Sequence, residues 1–374
     1  MRPILHNCKA FLKAEAVLCI VALAAISTMF FVPLSWLYIE YMDFKVLALL
    51  FCLMAVVAGL THTGIFLYLS DQLLKKVVGV RTLSFVLVLL CFATSMWITN
   101  DVALITFVPF AIMVLKLAGQ EKYTIKVVVL QTIAANLGSM LTPVGNPQNL
   151  YLYSFYQIPL HRFIAITAPY TIVSLALLLL FILFIKKEPL RLNVPEDVTI
   201  DKNKMKLILM YCLLFLLCIA CVLHWLDYRV LFIIIVAMML LFNRKIFLEI
   251  DYSLLLTFVC FFLFVGNIGS IPFIKDTLVR ILADRTFPIS IIASQVISNV
   301  PAAVLLSSFT QDYKALILGT DLGGLGTLIA SLASLISFKL YSRSEGANTR
   351  KYLIEFTFYN LIFLMVLCIF YILC

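Results

Sequence analysis

Charged residues are scarce in this sequence, and only one long stretch of it is polar. Lysine, arginine, aspartate and glutamate together make up 13% of the 374 residues, whereas 64% are hydrophobic. A soluble domain of this length needs far more charge on its surface, and apolar runs of about 20 residues, the length that spans a bilayer, recur along the chain. The composition therefore excludes a soluble enzyme and predicts an all-α polytopic membrane protein that lies in a lipid bilayer.

The sequence also lacks the patterns of a disulfide framework, a metal centre or an enzyme active site. Its ten cysteines are scattered through apolar segments, where we interpret them as small buried hydrophobic residues. Cys218, Cys221 and His224 share one helical stripe, but no fourth ligand accompanies them in the sequence, which disfavours a metal site. Because no intramembrane His–Glu cluster, nucleophile motif or phosphate-binding loop is present, we expect neither an enzyme nor an organic cofactor.

The net charge of +9 does not indicate a nucleic-acid partner, because the basic residues lie in short loops at the ends of apolar runs. Lys116, Lys122 and Lys126 fall on the same predicted side as the polar segment 186–206 and the N-terminus. Cytoplasmic loops of membrane proteins carry an excess of lysine and arginine. The distribution predicts a cytoplasmic N-terminus, and the compact loops favour a bacterial inner (plasma) membrane.

A pair of polar motifs occurs twice in the chain. Residues 98–105 align without gaps with 297–304, and residues 136–150 align in the same way with 321–335. The alignment places Asn100 on Asn299, Asn136 on Asp321, Thr142 on Thr327 and Asn146 on Ser331. A duplicated pair of polar interruptions in membrane segments indicates the binding site of a transporter that is built from two repeats.

The interruptions are of two kinds. Two short apolar arms meet at a polar tip in residues 82–117 and again in 286–310, which predicts two re-entrant hairpins whose arms are too short for a comfortable crossing. An apolar run broken by proline, glycine and polar residues at 122–157, and one broken by glycine and polar residues at 314–339, predict two broken transmembrane helices. A basic loop is predicted over 275–285. The predicted organisation is an inverted-topology repeat: a first repeat over 1–185, a polar cytoplasmic linker over 186–206, and a connector helix with the second repeat over 207–374.

Four such interruptions need a shared polar site, because unpaired backbone groups are costly in a bilayer. Helix N-termini suit an anion, and free carbonyls at helix C-termini suit a sodium ion. A coupling sodium ion is expected at Asn100, Asp101 and Asn146, and a proton is the alternative coupling ion. The predicted substrate- or ion-binding residues are Thr99, Asn100, Asp101, Thr142, Gly145, Asn146, Asn149, Ser298, Asn299, Asp321, Thr327 and Ser331.

Asp101 and Asp321 are distinct because each places a carboxylate inside a membrane segment. Such a group is a functional hypothesis by default, and each could hold a cation or exchange a proton. The alternative is that each carboxylate caps a helix by accepting backbone hydrogen bonds. The neutral polar residues have a structural alternative too, since they could form hydrogen bonds that hold helices together.

Four motifs follow one another along the chain: Thr-Asn-Asp at 99–101, Thr-Pro-Val-Gly-Asn-Pro-Gln-Asn at 142–149, Ser-Asn-Val-Pro at 298–301 and Gly-Thr-Asp-Leu-Gly-Gly at 319–324. In this order they resemble the motifs of the ion transporter superfamily, which includes arsenite permeases, sodium/proton antiporters, citrate transporters and divalent anion:sodium symporters. The resemblance extends from about residue 40 to about residue 340 and implies elevator-type alternating access and, in some branches, homodimers. The symporters carry Ser-Asn-Thr at both tips, whereas this chain carries Thr-Asn-Asp and Ser-Asn-Val, and the difference argues against their two-sodium dicarboxylate chemistry. With its tip acid, the set is most similar to the arsenite permease and sodium/proton antiporter branch.

Two functions follow as expectations. The first is a secondary active transporter of a small anion, either an inorganic oxyanion or a carboxylate, that is coupled to a proton or sodium gradient. The second is a sodium/proton antiporter with no anion substrate, in which the same acids bind sodium and protons competitively. A channel remains a third alternative, which passive flux that ignores imposed gradients would favour.

Overall fold

A computed structural model describes residues 16–32, 36–66, 68, 77, 79–189, 202–223 and 225–373. Within these residues the protein is helical, and the extended pairing consists of one isolated bridge between Gly79 and Pro189. Seven of the described helices are long and apolar enough to cross a membrane. The prediction of an all-α polytopic membrane protein is therefore confirmed.

The helices are numbered here in chain order. In the first half they are α1 (Ala16–Met29), α2 (Leu37–Glu40), α3 (Phe44–Thr63), α4 (Val80–Ile98), α5 (Asn100–Leu117), α6 (Thr124–Ser139), α7 (Pro147–Phe155) and α8 (Leu160–Leu183). In the second half they are α9 (Lys202–Val222), α10 (Tyr228–Phe242), α11 (Tyr252–Gly269), α12 (Pro272–Leu282), α13 (Thr286–Ile297), α14 (Asn299–Ser307), α15 (Tyr313–Gly323), α16 (Leu332–Ser342) and α17 (Thr349–Leu373).

Two segments differ from what the sequence predicted. The basic stretch expected to be a loop contains helix α12, which begins at Pro272 because a proline at the first position leaves no hydrogen bond unmade. Its apolar side buries Leu282, while Lys275 and Arg280 are exposed. The first hairpin is longer than expected, since α4 and α5 have 19 and 18 residues and each is long enough to span a bilayer. The re-entrant path of the two hairpins stays a prediction.

The helices pack into two bodies. In the first, which we call the scaffold body, α3 packs against α9 and α10, and α1 packs against α11. Gly59 allows α3 to approach α9 closely, because a Cβ atom there would lie 2.1 Å from the ring of Tyr211. Cys218 and Cys221 are buried in this body, and His224 lies outside the described residues.

The second body, which we call the hairpin body, contains α4–α8 and α13–α17. Its central helix is α6, in which every residue except Lys126 is buried. Gly138 lets α6 pack tightly on α4, because a Cβ atom there would lie 2.3 Å from the carbonyl oxygen of Phe92. The two bodies alternate along the chain, because α3 of the scaffold body is followed by α4 of the hairpin body, α8 by α9, and α12 by α13. The bodies meet where α11 packs on α14 and α3 packs on α7.

Candidate functional site

The two hairpin tips have the same unusual backbone. Thr99 joins α4 to α5 with φ 71° and ψ 152°, and Ser298 joins α13 to α14 with φ 75° and ψ 155°. This region is almost confined to glycine, and a residue held there costs about 1–3 kcal/mol. In each tip the next residue is an asparagine whose Oδ1 accepts a hydrogen bond from the following backbone N–H, at 2.9 Å in both cases. Both tips are therefore fixed shapes that the surrounding structure maintains against strain.

The first tip is held by the first break, residues 140–146, which separates α6 from α7. The backbone N–H of Asn100 donates to the carbonyl of Gly145 at 3.1 Å, and the Thr142 hydroxyl donates to the carbonyl of Met96. Gly145 is required by its surroundings, because a Cβ atom there would lie 2.1 Å from the carbonyl oxygen of Ser139. The first break therefore holds the first tip in position.

The second tip is held by the second break, residues 324–331, in the corresponding way. The Ser298 hydroxyl donates to the carbonyl of Ala330 at 3.4 Å, and the Thr327 hydroxyl donates to the carbonyl of Gln295 at 3.4 Å. The Gln295 side chain adds a bridge, since Nε2 donates to the carbonyls of Gly323 (2.7 Å) and Leu325 (2.9 Å) while Oε1 accepts from the Thr327 N–H (2.9 Å).

Thr142 and Thr327 therefore occupy equivalent places. Each hydroxyl donates to the carbonyl of the residue that lies three positions before its tip. Thr142 is buried, whereas Thr327 is exposed. These contacts indicate that each threonine holds its hairpin tip to the neighbouring break. The predicted contact of the two threonines with substrate stays untested.

Two buried residues form hydrogen bonds with the opposite repeat, Asn136 of α6 and Asp321 of α15. The sequence alignment pairs these two positions, which we call the crossovers. Asp321 reaches the first break and the start of α7: its Oδ1 accepts from Asn146 and Gln148 at 3.3 Å each, and its Oδ2 accepts from Asn149 at 3.1 Å. Asn136 reaches the opposite way. Its contacts are with Asn100 (3.1 Å), Ser331 (3.1 Å) and Ser334 (3.4 Å). Five of the twelve predicted site residues, Asn100, Asn146, Asn149, Asp321 and Ser331, thus form one hydrogen-bonded cluster with Asn136, Gln148 and Ser334. The Ser139 hydroxyl links its two halves, because it accepts from Asn146 Nδ2 at 3.2 Å and donates to the carbonyl of Asn136 at 2.9 Å.

Asp101 is in a different situation from Asp321. Its carboxylate Oδ1 is buried and has no hydrogen-bond partner. The side chain lines a cavity of about 170 Å³ between the two bodies, together with Thr99 and Asn146. The scaffold body contributes Glu249 and Asp251 to the same cavity. A carboxylate with an unpartnered oxygen, on a side chain that lines a cavity, has the capacity to receive a cation or a proton.

A second cavity, of about 510 Å³, lies at the other end of the boundary between the bodies. Helix α11 passes both, with Leu254 at the smaller cavity and Phe262 at the larger. Phe258 lies between them and packs against Tyr151 of α7, with ring centroids 6.3 Å apart. Among the residues that line the larger cavity, none is a predicted site residue. Aromatic packing therefore separates the cluster from one end of the boundary, while the smaller cavity reaches it.

Sequence reasoning missed three residues of this cluster and Gln295, which bridges the second break. Ser334 and Gln148 lie within the aligned motifs, and Asn136 is paired with Asp321, so the duplication carried a signal for all three. Gln295 had no such signal, because residue 96, its counterpart three positions before the first tip, is a methionine.

Comparison with known proteins gives the family. The model of the citrate transporter family matches residues 10–313. An uncharacterized transporter of Methanocaldococcus jannaschii is 33% identical over 299 residues, which cover 80% of this chain and 81% of that protein. The inner membrane protein YbiR of Escherichia coli is 29% identical over 346 residues, 91% of this chain and 90% of that protein. The silicon efflux transporter LSI3 of Oryza sativa subsp. japonica is 34% identical over 111 residues, 29% of this chain and 22% of that protein.

The family match extends over both hairpin tips and the first break, and the first two relatives are similar to this chain over most of their length. The resemblance noted in the sequence motifs is thereby confirmed. With its apolar helices and its paired tips and breaks, this integral membrane protein belongs to the citrate transporter family.

Proposed function

We propose that the protein is a secondary active transporter of a small anion, coupled to a sodium or proton gradient through Asp101. The observation that carries the proposal is that the Asp101 side chain lines the cavity between the two bodies while its buried Oδ1 has no hydrogen-bond partner. A buried polar atom without a partner is costly, and ionisable groups inside membranes mark ion pathways. In this account the coupling ion binds at Asp101, with Asn146 beside the same cavity.

The anion would be received by helix N-termini. Helices α5, α7 and α14 begin at Asn100, Pro147 and Asn299, within or next to the hydrogen-bonded cluster. The start of a helix is the positive end of the helix dipole, which attracts an anion. The family is named for citrate, a carboxylate, and one relative is named for silicon, so the substrate class is a carboxylate or an inorganic oxyanion.

Two packed bodies with a cavity at each end of their boundary support transport by alternating access. The smaller cavity reaches the cluster, and the packing of Tyr151 on Phe258 separates the cluster from the larger one. Movement of the hairpin body along the scaffold body would close the smaller cavity off from the cluster and connect the larger cavity to it. In the orientation that the basic loops predict, the smaller cavity opens toward the cytoplasm.

The test is anion flux into proteoliposomes under an imposed sodium gradient, an imposed pH gradient or neither. The anions are citrate, a dicarboxylate, phosphate, silicate and arsenite, each supplied in separate assays. Wild-type protein is expected to accumulate at least one anion under one gradient, and Asp101→Asn is expected to lose the gradient dependence. Gradient-driven accumulation that is unchanged in Asp101→Asn would show that the coupling assignment is wrong.

A sodium/proton antiporter is the second candidate, and the charges of the cavity favour it. Asp101, Glu249 and Asp251 all line the smaller cavity, and three carboxylates attract cations and repel anions. Sodium-driven movement of protons in proteoliposomes that contain no candidate anion would support this function. Exchange that appears only when an anion is supplied would exclude it.

A further inference from the structure

The two acids of the site, the half-buried Asp101 and the buried Asp321, differ in their hydrogen bonds. Both oxygens of Asp321 accept hydrogen bonds, and all three partners are side-chain amides of the other repeat, namely Asn146, Gln148 and Asn149. Asp101 instead has an oxygen without a partner. A group whose lone pairs are already engaged by protein donors has little capacity left for an ion, whereas a free oxygen retains that capacity.

The residue type at each crossover matches its neighbours. Around position 321 the three partners all present N–H groups, and a carboxylate, which only accepts, suits that set. Around position 136 the partners are mixed: Asn100 and Ser331 donate to Oδ1, and Ser334 accepts from Nδ2. An asparagine, with one acceptor and one donor end, suits that set. The hydrogen-bonding partners thus account for the acid at one crossover and the amide at the other.

We infer that Asp321 is a positioning residue that anchors the first break across the repeat boundary, and that Asn136 is its counterpart for the second break. Asp321 fixes Asn146, which lines the cavity beside Asp101, and Asn149, whose backbone N–H is capped by Asn146 at 2.9 Å. The ion is left to Asp101. This inference rests on the proposed function for the meaning of the site, but its hydrogen-bond claim can be tested without any transport.

The conservative variant separates this role from ion binding. Asp321→Asn keeps an acceptor for Asn146 and Gln148. Its new amide can pair with the buried, unpartnered Oδ1 of Asn149 after that side chain rotates. The rotation gives up the long bond from Asn149 Nδ2 to the carbonyl of Met140 at 3.4 Å. Asp321→Ala removes all three bonds and leaves three buried amides with unmade hydrogen bonds. A positioning role therefore predicts rescue by asparagine, whereas an ion-binding or proton-exchanging role predicts that asparagine is as inactive as alanine.

The first measurement is the melting temperature of purified full-length protein in potassium buffer. Asp321→Ala is expected to melt about 5 °C or more below wild type, and Asp321→Asn much closer to it. Combining Asp321→Ala with Asn149→Ala should lower the melting temperature by clearly less than the sum of the two single effects. The control is Asp312→Ala on the same helix, where Asp312 caps α15 by accepting from the Ala315 N–H at 3.0 Å. Its effect should add to that of Asn149→Ala in full.

The second measurement is a sodium titration of the melting temperature. Asp321→Asn is expected to keep a sodium-specific rise, with a half-maximal concentration within about threefold of wild type, whereas Asp101→Asn loses it. Additive effects of Asp321→Ala and Asn149→Ala, or a loss of the rise in a stable Asp321→Asn protein, would overturn the inference. If wild type shows no rise with sodium, the sodium form of the proposed function fails, while the measurements in potassium still decide the positioning role.

Discussion

Replacing Gly145 with alanine tests whether the first break holds the first tip in position. A Cβ atom at this position would lie 2.1 Å from the carbonyl oxygen of Ser139 and 2.8 Å from its Cα and carbonyl carbon. All three are backbone atoms, so the break itself must shift. Overpacking of this kind costs about 1–3 kcal/mol. The carbonyl of Gly145 accepts the hydrogen bond from Asn100, and the tip is therefore expected to move with it.

The assay is the melting temperature of purified protein together with its sodium dependence. Gly145→Ala should melt a few degrees below wild type and respond to sodium only at higher concentrations. The matched control is Gly269→Ala at the end of α11, where an added Cβ meets no heavy atom within 4 Å. Alanine in a helix is favoured over glycine by about 1 kcal/mol, so the control should melt at or above wild type. A Gly145→Ala protein as stable as the control would refute the account of the break.

Three further predictions concern positions away from Asp101. Gln295→Ala removes the hydrogen bonds that bridge the second break, each worth about 0.5–1.5 kcal/mol. Amide hydrogen exchange at residues 323–330 should therefore accelerate. Unchanged exchange would mean that the bridge does not stabilise the break. Gly59→Ala should lower the melting temperature through its clash with the Tyr211 ring. The dependence of the melting temperature on sodium should stay intact, because both residues lie in the scaffold body. An altered sodium dependence would contradict the separation of the two bodies. Hydrogen bonds from Lys122 and Tyr123 lower the pKa of Glu188, so its stabilising effect is present above the unfolded-state pKa and is lost as the pH falls through the folded-state value. The small difference in melting temperature between wild type and Glu188→Gln should accordingly shrink at acidic pH and at high salt, and a constant difference would point to packing instead.

The positions of the tips and breaks could be predicted from the sequence because they interrupt an apolar pattern. Pro143 and Pro147 cannot continue a helix, and the break between α6 and α7 lies where they predicted it. The duplication then located the second break, although that segment contains no proline. A strong local signal in one repeat was thus sufficient to identify a weak one in the other.

The partners within the cluster could not be predicted in the same way. That Asp321 binds amides of the first repeat depends on how α15 packs beside the first break, and no spacing along the chain encodes that contact. The bridge of Gln295 has no equivalent in the first repeat, where Met96 offers only its carbonyl. Helix α12 was predicted as a loop because its charged residues interrupt the apolar pattern. Its apolar side is short and buries Leu282.

The different roles of the two acids also needed the structure. Both are aspartates in apolar segments, and the sequence gives each the same argument for ion coupling. Their hydrogen bonds distinguish them, since the Asp321 carboxylate accepts on both oxygens, whereas the Asp101 side chain lines a cavity and has an oxygen without a partner.

The most direct test of the central claim compares wild type with Asp101→Asn in two titrations of melting temperature. One varies sodium at fixed pH, with potassium holding the ionic strength constant, and the other varies pH without sodium. A ligand that binds the folded state alone adds about 2.7 kcal/mol at one hundred times its dissociation constant. The account predicts that the difference in melting temperature between the two proteins changes with sodium or with pH. A difference that stays constant across both titrations would contradict it, because Asp101 would then bind neither ion.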